Sequence, residues 1–294
     1  MSYLPFAILA QFLNSIAVTV DKILLTKTIP DPLIYIFYFS LMNMSLLLGI
    51  PFVKLPSTEV IMLASVSTAS WIIGAYLMLR ALKSGQVQRV IPVIGALTPI
   101  FLLILGFQGL TQTQIKAIAI LVAGLIFLTL ENLKGKINMK ELFLEIFSSV
   151  FFALSYYFLS LSFLKTSFLT VLIWSRPILL PLLLSFLVVP YLRRIIASFL
   201  KTKAVVKSVP LFIFGQVSAI ASELLLLFSI SLANPAIVNS LQGIKYIFLI
   251  VFSLILGTKF PEVFKLKFSG YFLLTQIIGI GFITIGLYLL ASTG

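Results

Sequence analysis

The stretch 211–257, LFIFGQVSAIASELLLLFSISLANPAIVNSLQGIKYIFLIVFSLILG, decides how the rest of the chain is interpreted. It predicts two long apolar helices joined by a tight Ala-Asn-Pro turn at 233–235. One acid, Glu223, lies in the first helix and one base, Lys245, lies in the second, each eleven residues from Asn234. Each is then roughly 16 Å from the turn, near the middle of a hydrocarbon core about 30 Å thick. Ionisable side chains are costly at that depth, so the two residues indicate either a functional site or an ion pair between the helices.

The composition of the whole chain agrees with a membrane location. Of 294 residues, 61% are hydrophobic and 10% are charged, and the mean hydropathy is +1.18. We therefore predict an all-α polytopic membrane protein. The chain has no cysteine and no histidine, so we expect no metal, no cofactor and no enzymatic activity. The net charge of +13 is interpreted as basic loops facing an anionic membrane surface, and not as nucleic-acid binding.

Apolar segments of membrane-spanning length follow one another along the chain, so we predict ten transmembrane helices. Capping residues mark several helix starts. Asp31–Pro32 and Asn234–Pro235 each place a capping side chain before a proline, and Thr111 with Gln114 has capping-box spacing. The predicted spans are 4–25, 32–53, 59–82, 87–107, 112–130, 141–164, 168–190, 208–232, 235–257 and 269–292.

A polar linker, 131–140, divides these spans five and five. We therefore predict a first five-helix repeat at 1–131, a linker at 132–140 and a second five-helix repeat at 141–294. An odd number of helices per repeat inserts the second repeat upside down, which gives two inverted repeats around an axis in the membrane plane. That architecture is typical of transporters with a site near the membrane midplane.

Basic residues are distributed unequally between the two predicted faces. The connections 1–2, 3–4, 5–6, 7–8 and 9–10, with the adjoining helix ends, hold sixteen Lys and Arg residues, against three on the other face. The positive-inside rule then places both termini on the non-cytoplasmic side of the membrane. We expect this membrane to be a prokaryotic plasma membrane. Near these connections, Arg89 is expected to act as an interfacial anchor, and Asp21 and Lys22 to pair or snorkel. The linker 191–207 is expected to lie along the interface.

Residues 81–128, ALKSGQVQRVIPVIGALTPIFLLILGFQGLTQTQIKAIAILVAGLIFL, resemble a known family. They resemble the end of the first repeat in the drug/metabolite transporter superfamily, in its ten-helix EamA-like branch. The matching features are an Ala-Leu-Lys turn at 81–83, prolines at 92 and 99, a Leu-Thr helix start at 110–111 and an Ala-Gly pair at 123–124. The second half echoes them in SLANPAIVNSLQG and in the IGLYLL ending. The family often has Gly-Glu before Leu-Thr, where this chain has Phe-Gln-Gly at 107–109.

The resemblance implies an arrangement for the whole chain. Helices 1, 3, 4, 6, 8 and 9 would surround a central cavity, with helices 5 and 10 at the periphery. It also implies that both termini lie inside the cell, the reverse of what the basic residues indicate. Arg176 in span seven is similar to an arginine often found in the second helix of each family repeat. Span seven starts from the same membrane face as the 233–235 turn, so we expect Arg176 to approach the level of Glu223 and to act chiefly as a structural anchor. Pro177 and Pro181 would allow that helix to bend and present carbonyl groups to a partner.

Several side chains are candidates for binding a substrate. Glu223 could bind a cationic group or exchange a proton, and Gln242 lies one turn before Lys245 on the same helix face. Asn14 lies near the centre of span one, and because it cannot titrate it disfavours proton coupling there. Aromatic walls are expected from tryptophan and tyrosine, although buried rings more often serve packing. The candidate substrate-binding residues are Glu223, Lys245, Gln242, Asn14, Trp71, Tyr76, Tyr156 and Arg176.

These features together predict a secondary transporter that moves a small metabolite or an amphipathic compound, with efflux as one possible direction, by alternating access. Its expected partners are a small-molecule substrate, the lipid bilayer and protons, and the protein is expected to be a monomer that binds no nucleic acid. One alternative is an exchanger of phosphorylated sugars or nucleotide sugars. That substrate needs several basic groups in the cavity, and only Lys245 and Arg176 are available. An alternative of another class is a membrane scaffold that transports nothing.

Overall fold

The computed structural model describes residues 3–105, 110–133, 139–199, 203–257, 260 and 270–291. Every regular element within these residues is helical. The elements are α1 (Leu4–Lys27), α2 (Pro32–Asn43) with a 3₁₀ helix (Met44–Phe52), α3 (Thr58–Ser84), α4 (Val87–Ile104), α5 (Gln112–Leu133), α6 (Met139–Phe163), α7 (Phe168–Trp174), α8 (Leu179–Val188), α9 (Pro190–Ser198), α10 (Lys203–Leu232), α11 (Pro235–Ser240), α12 (Gln242–Leu256) and α13 (Gly270–Ala291).

Within the described residues, seven helical segments are long and apolar enough to cross a membrane, as in an α-helical multi-pass membrane protein. They are Leu4–Lys27, Pro32–Phe52, Thr58–Ser84, Met139–Phe163, Phe168–Val188, Lys203–Leu232 and Pro235–Leu256. Three shorter apolar helices, at Arg89–Ile104, Gln112–Leu128 and Leu274–Leu289, accompany them. In the described part of the chain, seven of the ten predicted crossings are therefore confirmed as apolar helices of membrane-spanning length, and the other three correspond to shorter apolar helices. Large apolar side chains such as Leu48, Phe52 and Ile277 are exposed, which suits a surface in contact with lipid.

Three predicted helix starts are confirmed by their capping hydrogen bonds. Asp31 Oδ1 accepts from the backbone N–H of Leu33 at 3.0 Å, and Asn234 Oδ1 accepts from Ala236 at 2.9 Å. At the start of α5, the Thr111 hydroxyl accepts from the N–H of Gln114, whose side chain accepts in return from the N–H of Thr111. These bonds supply acceptors for N–H groups that the first turn of a helix leaves unpaired.

Two predicted single spans are broken helices. The segment 168–190 divides into α7 and α8 around Arg176, because Pro177 lacks an N–H and its ring disfavours a continuous helix. The segment 235–257 divides into α11 and α12 at Leu241.

The predicted polar linkers contain more helix than the sequence indicated. The segment 191–207 contains α9 and the start of α10, and α5 and α6 extend into 131–140. The motif at 107–109, the centre of the first linker at 134–138 and residues 261–268 lie outside the described residues.

The helices pack in pairs that contact closely. The α3–α6 and α1–α10 crossings are alike, because a serine hydroxyl donates to a backbone carbonyl across each of them. Ser148 donates to Gly74 at 2.8 Å, and Ser222 donates to Ala10 at 2.9 Å. Helix α5 packs on α13, where a Cβ added at Gly124 or at Gly279 would lie 2.9 Å from the other residue's carbonyl oxygen. Helix α4 packs against α6, α11 and α12.

Candidate functional site

A buried ion pair joins the broken helix α7–α8 to α10. Arg176 lies at the break, and its Nη1 and Nη2 atoms are each 3.4 Å from Oε1 of Glu223. The two side chains are 3% and 7% exposed. An ion pair between Glu223 and Lys245 was one interpretation of their equal distance from the turn. In the described residues Glu223 instead pairs with Arg176, so that interpretation is wrong.

Lys245 belongs to a separate polar cluster on α11 and α12. Its Nζ donates to Oε1 of Gln242 at 3.2 Å, and the Gln242 amide donates to Oδ1 of Asn239 at 3.2 Å. A Cβ added at Gly95 of α4 would lie 3.3 Å from the Gln242 side chain, so this cluster lies against α4. Glu223 and Lys245 have equal depth in the hairpin, but depth along a helix does not determine the direction in which a side chain points.

A cavity of about 80 Å³ lies between α1, α2, α3, α6 and α10. Four of the predicted residues line it, namely Asn14, Trp71, Tyr156 and Glu223. A smaller space of about 10 Å³ adjoins the Arg176–Glu223 pair and shares Trp71 with the cavity. Polar side chains line this smaller space as well, and a hydrogen bond of 3.2 Å joins the hydroxyls of Ser67 and Ser155. We call the larger space the polar cavity.

Three predicted residues lie elsewhere in the described part of the chain. Lys245 and Gln242 form the cluster beside α4, and neither lines the polar cavity. Tyr76 is on α3, but it does not line the cavity either. The guanidinium carbon of Arg80 lies 5.8 Å from the centre of its ring, an arrangement typical of a cation–π contact.

Sequence reasoning missed two residues that line the polar cavity, Asp21 and Gln216. Asp21 was expected to pair with Lys22 or to snorkel, and that expectation is wrong. Lys22 Nζ donates instead to the carbonyl oxygens of Leu82 at 2.7 Å and Gly85 at 2.8 Å, at the end of α3. Asp21 is left 8% exposed, and its Oδ1 has no hydrogen-bond partner among the described residues.

A spacing signal could have found both missed residues. Asn14 and Asp21 are seven residues apart on α1, and Gln216 and Glu223 are seven residues apart on α10. Seven residues make two helical turns, so each pair lies on one face of its helix. Because α1 packs on α10, the two polar faces meet across the cavity.

Charged residues form a cluster of salt bridges at the starts of α4 and α6, on the face that carries most of the basic residues. Arg89 of α4 contacts Glu141 of α6 through Nη2, and the same nitrogen is 3.3 Å from Oε1 of Glu145. Arg89 was expected to be an interfacial anchor, but it is a partner of these two acids. With the contacts of Lys22 to α3, the salt bridges join the ends of α1, α3, α4 and α6.

The opposite face has a wide cavity of about 620 Å³. It lies between the end of α6 and the turn from α10 to α11, and Tyr157, Ser160 and Asn234 are among the residues that line it. We call this space the vestibule. A groove of about 590 Å³ between α3 and the start of α6, lined by Arg80 and Lys140, reaches the basic face as well. The salt bridges, and not the presence of a wide cavity, therefore distinguish the basic face.

The fold occurs in proteins of known structure. No protein-family model matches the chain, and no curated protein matches it. A protein solved as a crystal structure aligns over 95% of this chain and 98% of its own, with a TM-score of 0.61 and 14% sequence identity. At that identity the likeness shows a shared fold and carries no information on function.

Proposed function

We propose that this protein is a secondary membrane transporter that moves a small metabolite or an amphipathic compound by alternating access. The observation that carries the proposal is the polar cavity, which lies within a largely apolar helical protein and is lined by two buried acids. Ionisable residues within transmembrane segments are costly, and they commonly mark the paths of substrates or ions. The drug/metabolite transporter superfamily, which residues 81–128 resemble, is the family we propose for the chain.

The packing of the helices supports two inverted five-helix repeats. If α1 to α5 form the first repeat and α6 to α13 the second, the α3–α6 crossing corresponds to the α10–α1 crossing. Both crossings carry a serine-to-carbonyl hydrogen bond. The packing of α4 on α6 corresponds in the same way to that of α12 on α1. On this proposal all ten apolar segments cross the membrane, and the face that carries most of the basic residues faces the cytoplasm.

The cluster of salt bridges on the basic face supports alternating access. On this proposal the contacts among Arg89, Glu141 and Glu145 block the path from the polar cavity to that face. The break at Arg176 lies beside the polar cavity, and broken helices at a central site are common in transporters. The structure then corresponds to a state closed towards the cytoplasm. The opposite state would need these salt bridges to separate.

The composition of the cavity argues against the exchanger of phosphorylated sugars or nucleotide sugars. Such an anionic substrate needs several free basic groups. Among the described residues that line the polar cavity none is basic, and Arg176 beside it is already paired with Glu223. We therefore do not propose that substrate.

Reconstitution into liposomes tests the proposed function. Vesicles with the purified protein are loaded with a mixture of small cellular metabolites, and the compounds that they retain are measured by mass spectrometry against vesicles without protein. We expect at least one compound to leave the protein-containing vesicles faster. If every compound is retained equally in both kinds of vesicle, at several pH values and with a membrane potential of either sign, the protein is a scaffold and the proposal fails.

A further inference from the structure

The polar cavity contains a buried acid that pairs with no basic side chain among the described residues. Asp21 is 8% exposed and Gln216 is 2% exposed. Oδ1 of Asp21 and Oε1 of Gln216 have no hydrogen-bond partner among the described residues, and both side chains line the cavity. A buried acceptor without a donor is destabilising, and a buried carboxylate without a cation is more so. Two such groups around one space indicate a ligand that supplies a positive charge.

The charged and titratable groups near Asp21 do not supply that charge. Lys22 is hydrogen-bonded to the carbonyls of Leu82 and Gly85, away from its neighbour in sequence. The hydroxyl of Tyr35 donates to the carbonyl of Ile29 at 3.1 Å. The other titratable groups that line the cavity are Tyr156 and Glu223, and Glu223 is paired with Arg176.

The two acids lie at different heights in the cavity. A Cβ added at Gly215 of α10 would lie 3.8 Å from Oδ1 of Asp21, so Asp21 is level with that residue. Glu223 is eight residues further along α10, which corresponds to about 12 Å at about 1.5 Å per residue. One end of the cavity therefore has an acid with a basic partner, and the other end has an acid without one. A ligand with a single positive charge matches this arrangement.

Aromatic rings line the polar cavity that both acids share. Trp71, Tyr156, Tyr35 and Phe39 all face the cavity, and the Trp71 and Phe39 rings stack with their centres 4.5 Å apart. The face of an aromatic ring attracts organic ammonium ions, and tryptophan is the strongest of these partners. The volume of about 80 Å³ exceeds what one water molecule needs. A carboxylate beside aromatic rings can bind a small organic cation.

We propose that the polar cavity binds a small organic ammonium ion, with the positive charge at Asp21 and Gln216 and the organic groups against Trp71. The proposal rests on the proposed function, in that this ion is the substrate or represents its cationic part. In this proposal Asp21, which was expected to pair with Lys22, determines the class of substrate.

Binding of three probes of similar shape and different charge tests the proposal. The probes are tetramethylammonium, the neutral tert-butanol and the anionic pivalate, each measured by the thermal shift of the purified protein. We expect a shift with tetramethylammonium alone, and an affinity at least about tenfold lower in Asp21→Asn, because the attraction between the ammonium charge and the carboxylate is lost. Glu59→Gln is the matched control, since Glu59 is an exposed acid paired with Lys165 and should leave the affinity unchanged.

The remaining outcomes separate failure of the cation site from failure of the transport function. Equal shifts with all three probes, or tetramethylammonium binding that Asp21→Asn leaves intact, would overturn the cation site. If no probe binds while reconstituted vesicles release metabolites that carry no positive charge, the cation site is wrong and the transport function stands. If tetramethylammonium binds through Asp21 but no compound crosses the vesicle membrane, the site stands and the transport function is wrong.

Discussion

Asp21 and Glu223 line one cavity, but their surroundings differ. Each acid has one buried oxygen without a hydrogen-bond partner in the described chain, Oε2 of Glu223 and Oδ1 of Asp21. Glu223 is nevertheless paired with Arg176 from the break between α7 and α8, whereas Asp21 has no basic partner among the described residues. A buried acid with a partner stabilises an arrangement of helices only while both charges remain. A buried acid without a partner contributes little to the fold and is available to a ligand. The comparison therefore assigns a chiefly structural role to the first acid and a binding role to the second.

Removing the arginine of the paired end should have the largest effect. Arg176→Ala leaves Glu223 buried without its cation, and we expect the free energy of unfolding in detergent to fall by about 3–5 kcal/mol. Chemical or thermal unfolding followed by circular dichroism measures the loss. The control is Lys165→Ala, which breaks the exposed pair between Lys165 Nζ and Glu59 Oε1 at 2.9 Å. That pair should be worth only about 0–1 kcal/mol.

Two further variants sharpen this result. Adding Glu223→Gln to Arg176→Ala removes the unpaired charge and should restore part of the stability, which identifies the cost as electrostatic. Asp21→Asn alone should leave the stability nearly unchanged, because it separates no ion pair. If Asp21→Asn destabilises the protein as much as Arg176→Ala does, Asp21 has an essential structural role and the comparison between the two acids is wrong.

A smaller effect is expected from the aromatic lining of the polar cavity. Trp71→Leu removes a ring that faces the cavity, and a cation–π contact is worth about 0.5–2 kcal/mol, so tetramethylammonium should bind roughly two- to thirtyfold more weakly. Thermal shift measured against ligand concentration gives the affinities. Trp174→Leu is the matched control, since Trp174 does not line the polar cavity. Equal losses in both variants would show that general loosening, and not the ring of Trp71, weakens binding.

The sequence predicted the positions of the helices better than the contacts between side chains of different helices. Hydropathy and the caps at Asp31 and Asn234 located the helical segments, because length and capping are local properties of the chain. It also located Glu223 as a buried acid. Lys245 was the wrong partner for Glu223, although Arg176 was expected near the same level. The interaction with Arg176 joins residues that are 47 positions apart and depends on how α7–α8 packs on α10.

Asp21 was missed for a different reason. It lies near the end of its span beside Lys22, and adjacent opposite charges near the end of an apolar helix are typical of an interfacial pair. Adjacent residues on a helix point in different directions, and here Lys22 reaches the end of α3 while Asp21 faces the cavity. The seven-residue spacing from Asn14 was the available signal, and its meaning depended on the position of α10.

Labelling of single cysteines tests alternating access most directly, because the natural chain contains no cysteine to react in the background. Ala75 lines the polar cavity, and Ile73, two residues away on α3, is exposed on the apolar surface. In reconstituted vesicles, we expect Ala75→Cys to react with a membrane-impermeant maleimide added on either side, and Ile73→Cys to react from neither. Reaction of Ala75→Cys from one side only, or from neither, would contradict a cavity that opens in turn to both faces.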